Sequence, residues 1–193
     1  PIYAAGMVPG FGYDHFENIL NYKRTNGFGV MLVDTPVKNN RVKWNNFLKK
    51  PEIFYRVSED DKKRLRIAAK KGVEMMFGSG AKKVMLPSEE PIGPLSRPTF
   101  NKKSESKYCE KLKFLPHQTQ LTSAHCQSTV SMGEDHELGI LNSRCESKYI
   151  KNLIVCDSSS FPNSCGANPM VSIMTMARYQ GIRIAGELAR YDL

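Results

Sequence analysis

Apolar residues in the first third of the chain come in short runs that favour β-strands. Phe28–Val33 is one such run. The segments Val37–Lys38 and Arg41–Trp44 flank Asn39–Asn40, a dipeptide that tolerates the positive φ of a tight hairpin turn. Ile53–Val57 is a further apolar segment that can add a third strand. The pattern therefore predicts a piece of antiparallel sheet.

After this region the apolar residues follow a helical spacing. Ser58, with Asp61 three residues later, can satisfy free backbone N–H groups and marks a helix start. Glu59 and Asp60 suit the positive end of the helix dipole. Gly78–Gly80 ends the helix. The face that we expect to pack inward carries Leu65, Ala69, Val73 and Met76.

The middle of the chain is interrupted by prolines. Lys83–Leu86 is predicted to be a short strand, and Glu105–Phe114 a second amphipathic helix. Between them, residues 87–98 are predicted to form a loop, because proline forbids a continuous helix or a central strand. The prolines of this loop are Pro87, Pro91, Pro94 and Pro98.

The last third has the clearest pattern. Leu153–Cys156 is continuously apolar and is typical of a strand buried on both faces, and Ser158–Pro162 is predicted to be a turn. Asn168–Pro169 opens a long helix, with proline at its tolerated first position. A strand, a polar loop and a helix in this order can cradle a ligand, because a helix N-terminus presents unpaired N–H groups. The side of the helix predicted to face inward carries Ile173, Met174, Ala177, Ile184 and Leu188.

Composition and charge narrow the function classes. Of 193 residues, 40% are hydrophobic and 24% are charged, which is typical of a globular protein, and no apolar run approaches the about 20 residues of a membrane-spanning helix. The net charge is +9, but much of the excess lies in stretches such as Lys62–Lys71, interleaved with the helical apolar stripe. We therefore interpret the charge as a solvated surface and expect no nucleic-acid partner.

Cysteine usage and the first residue indicate a cellular context. The five cysteines are odd in number and lack C-x-x-C spacing, which argues against a disulfide framework and a structural zinc site. We expect no metal site and an intracellular protein, cytoplasmic or peripheral to a membrane. Because the chain begins at Pro1 without an initiator methionine or a signal peptide, we interpret it as part of a longer product.

A few polar residues are candidates for chemistry. His125 lies in a segment of small and polar residues rather than on an apolar face, although a single histidine is most often structural. Asn168 can cap the last helix or point into a site at that helix end. Asp157 follows the predicted buried strand, where it can anchor a hydroxyl-bearing ligand or form an Asx turn. Weaker histidine candidates are His15, His117 and His136.

Motifs of several other enzyme classes are missing from the sequence. It contains no G-x-S-x-G, no G-x-x-x-x-G-K-[ST] and no H-E-x-x-H, so acyl hydrolase, nucleoside triphosphatase and zincin functions lack their usual residues. It also contains no G-x-G-x-x-G after a strand. The chain therefore lacks a dinucleotide pyrophosphate site of the Rossmann type.

The order of motifs in the C-terminal half resembles that of the glucose–methanol–choline (GMC) flavin oxidoreductases. The matching positions are Ser123-Ala-His125 with Thr129 and Met132-Gly133, then Asn152–Pro162, then Gly166-Ala-Asn168-Pro169 before a helix. Within the family, the pattern is most similar to the branch of long-chain alcohol oxidases and cholesterol-oxidase-like enzymes. The specific motifs span residues 123–189, and residues 1–86 fit the family's substrate-domain sheet more loosely.

The resemblance implies a fold and a division of the chain. It implies an α+β or α/β protein in which an antiparallel substrate-domain sheet with helices joins the C-terminal strand, loop and helix of an FAD-binding domain. Residues 1–122, with the loop 87–98, would then belong to the substrate-binding domain. Residues 123–193 would form the catalytic, FAD-facing segment, and the N-terminal FAD-binding portion would be a missing partner from the same protein.

The resemblance also implies an activity and a role for individual residues. It implies oxidation of a primary or sterol-like alcohol by transfer of hydride to flavin N5, which needs a base for the hydroxyl proton. His125 matches the catalytic acid/base and Asn168 its partner. Asp157, Ser158, Asn168, Pro169 and Met170 match positions near FAD. The alcohol is expected to be long-chain or sterol-like, with membrane association as an additional expectation.

Four positions depart from the family pattern. Ser128 replaces a glycine, Ser131 replaces an arginine, and Cys126-Gln127 replace the more common residues after the histidine. Serine at position 128 would be strained if the backbone there requires a positive φ. These departures keep an alternative open, a truncated or degenerate flavoprotein-like module without catalysis. A basic nucleic-acid-binding domain is the least favoured alternative.

Overall fold

The computed structural model describes residues 6–134 and 139–191. The chain forms two compact units, of which the first comprises Pro1–Leu32 with Val57–Thr122 and the second Val33–Arg56 with Ser123–Leu193. Residues 33–56 therefore group with the C-terminal segment. The assignment of residues 1–122 to substrate binding and of 123–193 to catalysis and FAD stays a prediction.

The elements of the described residues are three helices, two small antiparallel sheets and several 3₁₀ turns. Strand β1 pairs with β2, and β3 with β4. In chain order the elements are α1 (Tyr13–Leu20), a 3₁₀ helix (Asn21–Arg24), β1 (Arg41–Asn45), β2 (Lys50–Phe54), α2 (Glu59–Gly78), β3 (Val84–Met85), β4 (Thr99–Phe100), a long 3₁₀ helix (Lys103–Lys111), a 3₁₀ turn (Ser158–Ser160), α3 (Met170–Gly186) and a final 3₁₀ helix (Leu188–Tyr191).

The first unit is built around α2, which begins and ends where the sequence predicts. The Ser58 hydroxyl accepts a hydrogen bond from the Asp61 N–H at 3.1 Å, as an N-cap should. Val73 on its inward face is buried, and Ala69 and Met76 pack against the same core. The buried core of this unit consists of Val73, Val84, Ile92, Phe100, Cys109 and Leu112.

The remaining predictions for the first unit are confirmed with small changes. The strand predicted at Lys83–Leu86 is β3, which is shortened to Val84–Met85, and residues 87–98 form a loop whose only pairings within the described residues are two isolated bridges, Ser88 with Thr119 and Ile92 with Leu95. The helix predicted at Glu105–Phe114 is a 3₁₀ helix that ends at Lys111. It stops before Phe114 because Leu112 already has an extended ψ of 130°, and Phe114 itself has a positive φ of 55°.

A buried carboxylate, Glu90, fixes the proline-rich loop. Its side chain is 1% exposed and accepts hydrogen bonds from the Lys113 N–H at 2.8 Å and from the Leu115 N–H. The Thr119 hydroxyl also donates to it. Because these donors lie on the segment after the long 3₁₀ helix, Glu90 ties the loop to that segment within the core.

Two strand predictions in the first third are wrong. Phe28–Val33 is irregular, because no strand in residues 6–134 or 139–191 lies beside it. Instead, Phe28 and Val30 lie against α2 at Gly72, where a Cβ would come within 3.4 Å of the Phe28 ring. Asn39–Asn40 does form a turn, closed by the Asn40 N–H and the Val37 carbonyl at 2.8 Å, but the turn does not connect two strands.

The hairpin of the second unit instead pairs Arg41–Asn45 with Lys50–Phe54. The side chain of Asn40 extends the hairpin, because it accepts a hydrogen bond from the Arg56 N–H at 2.8 Å and donates one to the Arg56 carbonyl at 3.1 Å. The two bonds imitate one more residue pair of the ladder. Of the segment predicted as a third strand, Ile53–Val57, only Ile53 and Phe54 are in a strand, at the end of β2.

The other two errors lie in the last third. Leu153–Cys156 makes only an isolated bridge between Ile154 and Glu146, and Leu153 is 41% exposed. An extended segment needs neighbouring strands on both sides to become a buried strand, and the described residues supply none. Helix α3 forms as predicted from its start signal. Of its predicted inward face, Ile173 and Ile184 are half-buried, but Met174, Ala177 and Leu188 are exposed. The residues turned inward are Ile173, Met176, Gln180, Arg183 and Ile184.

A charged cluster centred on Glu146 holds α3 to the rest of the second unit. The Glu146 carboxylate lies 3.2 Å from the guanidinium groups of Arg144 and Arg183, and it accepts from the Tyr191 hydroxyl at 2.8 Å and from Asn142 at 3.0 Å. Burial alone would raise the pKa of this carboxyl, but the hydrogen bonds and cations around it prevail and lower the pKa to about 2.

The Glu146 cluster predicts acid-sensitive stability of the second unit. The folded pKa of about 2 lies below the ordinary value of 4.5, so the stabilisation is complete above pH 4.5 and is lost as the pH falls towards 2. The difference corresponds to about 3 kcal/mol. Glu146→Gln should remove that contribution at pH 7, and its stability should converge with the parent near pH 2. Hydrogen exchange of the α3 amides at the two pH values measures the stability of both proteins. The same difference in stability between variant and parent at pH 7 and at pH 2 would contradict the prediction.

Candidate functional site at the N-terminus of the last helix

The segment that carries His125 is fixed along the serine-rich turn. The N–H groups of residues 128, 130 and 132 donate to the carbonyls of Ser158, Ser159 and Ser160 at 3.2, 2.9 and 2.9 Å. The Ser158 hydroxyl adds a bond to the Cys126 carbonyl at 2.9 Å. This regular series of bonds sets the backbone position from which the His125 side chain projects.

Asn168 caps helix α3. Its Oδ1 accepts from the Met170 N–H at 3.0 Å, and the helical ladder begins at the bond from the Ile173 N–H to the Pro169 carbonyl at 2.9 Å. Pro169 therefore occupies the N-cap position rather than the first helical position that the sequence predicts, and the helix begins at Met170. Helix geometry leaves the Val171 and Ser172 N–H groups without an intrahelical acceptor at the positive end of the helix dipole.

The structure brings His125 and Asn168 together, although 43 residues separate them in sequence. Asn168 Nδ2 lies 3.2 Å from His125 Nε2. Because Asn168 Oδ1 is taken by the Met170 N–H, the amide presents its NH₂ group to the ring, and Nε2 must be the acceptor. His125 is half-buried and Asn168 is exposed, so a small molecule can approach the pair from solvent.

The other residues predicted to bind the cofactor differ in their hydrogen bonds and in their exposure to solvent. Asp157 Oδ1 accepts from the Ser159 N–H at 2.7 Å and from the Ser159 hydroxyl, so the Asx turn weighed as the alternative is formed. Ser158 uses its hydroxyl within the chain. Pro169 is buried, and Met170 is 60% exposed at the helix mouth. Cofactor binding by these residues stays a prediction.

Two features of the site are missed by the sequence reasoning. Gln127, known from the sequence only as a departure from the family pattern, bonds to both halves of the site, to the His125 carbonyl at 3.3 Å and to the Cys165 N–H at 3.1 Å. Gly166 adopts a positive φ of 67°, and a Cβ there would lie 3.0 Å from Val33. The glycine thus lets the loop before α3 pass close to residue 33.

The strain expected at Ser128 is present. Its φ is +66°, a conformation that favours glycine, and its hydroxyl oxygen is buried without a hydrogen-bond partner. Ser128→Gly should therefore stabilise the second unit by about 1 kcal/mol, since relief of the strain and of the unpaired hydroxyl exceeds the entropy that glycine adds to the unfolded chain. Hydrogen exchange of residues 126–132 should slow accordingly. Ser123→Gly, at an exposed serine nearby, is the control, and equal effects of the two substitutions would contradict the explanation.

The remaining histidine candidates and a metal have less support. His15 Nδ1 lies 3.2 Å from the Val8 carbonyl in the first unit, a structural contact, and His117 belongs to the same unit. His136 lies outside the described residues. Within residues 6–134 and 139–191, no group of three or more His, Cys, Asp or Glu side chains is placed to hold a metal ion. None of the helices in this part of the chain combines the length and apolar character that crossing a membrane requires.

Comparison with known proteins gives a consistent result. A family model described as GMC oxidoreductase matches residues 36–177, which is most of the chain. Long-chain-alcohol oxidase FAO1 of Arabidopsis thaliana is 25% identical over 193 residues, covering 90% of this chain and 23% of the relative. Long-chain-alcohol oxidase FAO4B of the same plant is 25% identical over 197 residues, covering 92% of this chain and 24% of the relative.

A third relative matches over a shorter stretch. Long-chain-alcohol oxidase FAO3 of Arabidopsis thaliana is 36% identical over 64 residues, covering 33% of this chain and 9% of the relative. The chain thus spans about a quarter of the length of the first two relatives. No solved structure matches it.

Proposed function

The chain belongs to the GMC oxidoreductase family, matching its C-terminal portion, and from that premise we propose that it supplies the acid/base part of an FAD-dependent alcohol oxidoreductase. The observation that carries the proposal is the contact between Asn168 Nδ2 and His125 Nε2 at 3.2 Å. It places an imidazole and an amide donor side by side at an exposed helix N-terminus. A base and a hydrogen-bond donor at one point are what removal of a hydroxyl proton requires.

We propose an alcohol with a long chain or a sterol-like skeleton as the substrate class. Support comes from the similarity to long-chain-alcohol oxidases along nearly the whole chain. The exposed apolar side chains at the helix mouth, Met170 at 60% and Val171 at 69%, are compatible with an apolar molecule near the pair. The polar pair would then hold the hydroxyl end of the substrate.

The residues at the helix mouth fit part of a flavin. The free N–H groups of Val171 and Ser172 lie at the positive end of α3, which suits the electron-rich carbonyl edge of the ring. The buried Pro169 and exposed Met170 offer a backbone surface beside them. A bound flavin would supply the hydride acceptor that oxidation of the alcohol needs. The pyrophosphate motif is missing from the sequence, so we propose that polypeptide outside this chain provides the remaining FAD-binding portion.

The residues of the chain then divide the work on the substrate. The alcohol hydroxyl would replace the Asn168 amide at the lone pair of His125 Nε2, and Nε2 would then take the hydroxyl proton. Asn168 Nδ2 donates to the alcohol oxygen as that oxygen loses its proton and gains negative charge. The amide oxygen of Asn168, Oδ1, keeps its hydrogen bond from the Met170 N–H. The helix end therefore holds the amide in one orientation during the proton transfer.

We propose an intracellular location, cytoplasmic or peripheral to a membrane. All five cysteines are free thiols, which supports a reducing compartment. The location can be read from the fluorescence of a tagged full-length protein, and secretion would contradict it.

The spectrum of the flavin tests the proposed function. Full-length protein containing this chain should be yellow after purification, and its flavin absorption should bleach when a long-chain primary alcohol is added without oxygen. A short polar alcohol at the same concentration is the control. A colourless protein that takes up no added FAD would contradict the proposal and favour the degenerate, non-catalytic module suggested by Ser128 and Ser131.

A further inference from the structure

Gln127 connects the two halves of the candidate site. Its Nε2 donates to the His125 carbonyl at 3.3 Å, and its Oε1 accepts from the Cys165 N–H at 3.1 Å. One half of the site is the segment that carries His125. The other is the loop that leads to Asn168 and α3. A single half-buried amide therefore uses its donor and its acceptor on opposite sides.

The two halves are otherwise anchored on different supports. The segment after His125 is bonded to the serine-rich turn through Ser158, Ser159 and Ser160. Asn168 is bonded to the start of α3 through the Met170 N–H. Within the described residues, the bonds that join the first half directly to the loop before α3 are those of Gln127 and the His125–Asn168 contact itself.

The Gln127 bridge is chemically specific. An amide can donate and accept at its two ends, whereas a carboxylate can only accept and a thioether does neither well. The family pattern has a different residue at this place, so the bridge does not follow from family membership. Gln127 lies two residues after His125 in sequence, and its partner Cys165 lies three residues before Asn168. The bridge is therefore close enough to control the distance between the reacting side chains.

We infer that Gln127 is a positioning residue, which holds His125 Nε2 and Asn168 Nδ2 at a separation that one alcohol oxygen can bridge. This inference rests on the proposed function, because the separation matters only if the pair acts on a substrate. Gln127 does not touch the substrate and acts through His125. Displacement of a reacting group by about 1 Å can cost about 100-fold in rate.

Rates of flavin reduction test the inference in full-length, FAD-loaded protein. Gln127→Met keeps the length of the side chain and removes both bonds, while Gln127→Glu keeps the bond from Cys165 and removes the donor to His125. Both should lower the rate constant of anaerobic reduction about 10-fold to 100-fold, with a change in apparent KM below about threefold. Gln118→Met, at an exposed glutamine of the first unit, is the matched control and should leave the rate unchanged. In a His125→Ala background, Gln127→Met should cause no further loss.

A second measurement needs neither flavin nor activity. In the 193-residue chain, diethylpyrocarbonate should modify His125 faster after Gln127→Met, because the segment that carries the ring is released, while His15 should react at an unchanged rate. Gln127→Glu serves for both measurements if the methionine variant does not fold. The result that overturns the inference is a parental reduction rate and parental His125 reactivity in the Gln127 variants while His125→Ala remains slow. A His125→Ala protein with the parental rate would overturn the proposed function instead.

Discussion

Replacement of His125 by alanine should slow anaerobic reduction of the flavin by a long-chain alcohol about 100-fold to 10,000-fold, the usual contribution of a positioned base. The physical reason is the geometry of the pair, since the imidazole Nε2 faces the Asn168 amide at 3.2 Å and alanine offers no group to take the proton. FAD content should be unchanged, because the side chain of His125 is not among the residues predicted to contact the cofactor.

A matched histidine separates this effect from general loss of structure. His117 lies in the first unit at a positive φ of 62°, so His117→Asn is the suitable control, because asparagine tolerates that conformation better than alanine. Stopped-flow absorbance at the flavin band measures both variants. Equal rates for His125→Ala and the parent protein would remove His125 from the mechanism.

Loss of the Glu90 carboxylate should strongly destabilise the first unit. Glu90→Ala leaves the Lys113 and Leu115 N–H groups and the Thr119 hydroxyl without their acceptor in a site where Glu90 is 1% exposed. Each buried donor left without an acceptor costs about 1–3 kcal/mol, so the three together should cost about 3–5 kcal/mol, a large part of the about 5–15 kcal/mol that stabilises a typical domain. We expect the free energy of unfolding to fall by that amount.

Urea unfolding followed by hydrogen exchange of α2 amides measures this loss. Glu90→Gln should be less destabilising, because the single side-chain oxygen of glutamine can still accept from a buried N–H group. Glu110→Ala is the control, because the Glu110 side chain is 63% exposed and pairs with Lys70. This substitution should leave the midpoint of urea unfolding the same as that of the parent protein. A Glu90→Ala protein as stable as Glu110→Ala would contradict the role of the buried carboxylate.

Local signals predict α2 and α3, but α1 is missed, because its N-cap residue, Gly12, supplies no side-chain cap. The Ser58 cap and the Asn168-Pro169 start are read correctly because the bonds that define a helix start lie within three residues of one another. The strands are predicted poorly, because a strand depends on its neighbours. Phe28–Val33 and Leu153–Cys156 have the apolar character of strands, but the described residues give neither of them a neighbouring strand.

The candidate site shows the same division between local and distant information. His125 and Asn168 can be selected from motif order, and Ser128 can be suspected of strain from the family's glycine, since each rests on a local pattern. The Gln127 bridge could not be predicted, because it joins positions 38 residues apart through side-chain atoms that leave no spacing in the sequence. The inward face of α3 is misjudged for a similar reason, since Gln180 and Arg183 are held inward by Cys145 and Glu146.

The measurement that most directly tests the account is a double-mutant cycle on the rate constant of anaerobic flavin reduction with His125→Ala, Asn168→Ser and both. Serine keeps the cap of α3 but is too short to reach the imidazole. If the two side chains act as one pair, Asn168→Ser should slow the parent protein at least about 10-fold and add little in the His125→Ala background. The same factor in both backgrounds, or no slowing in either, would contradict the account.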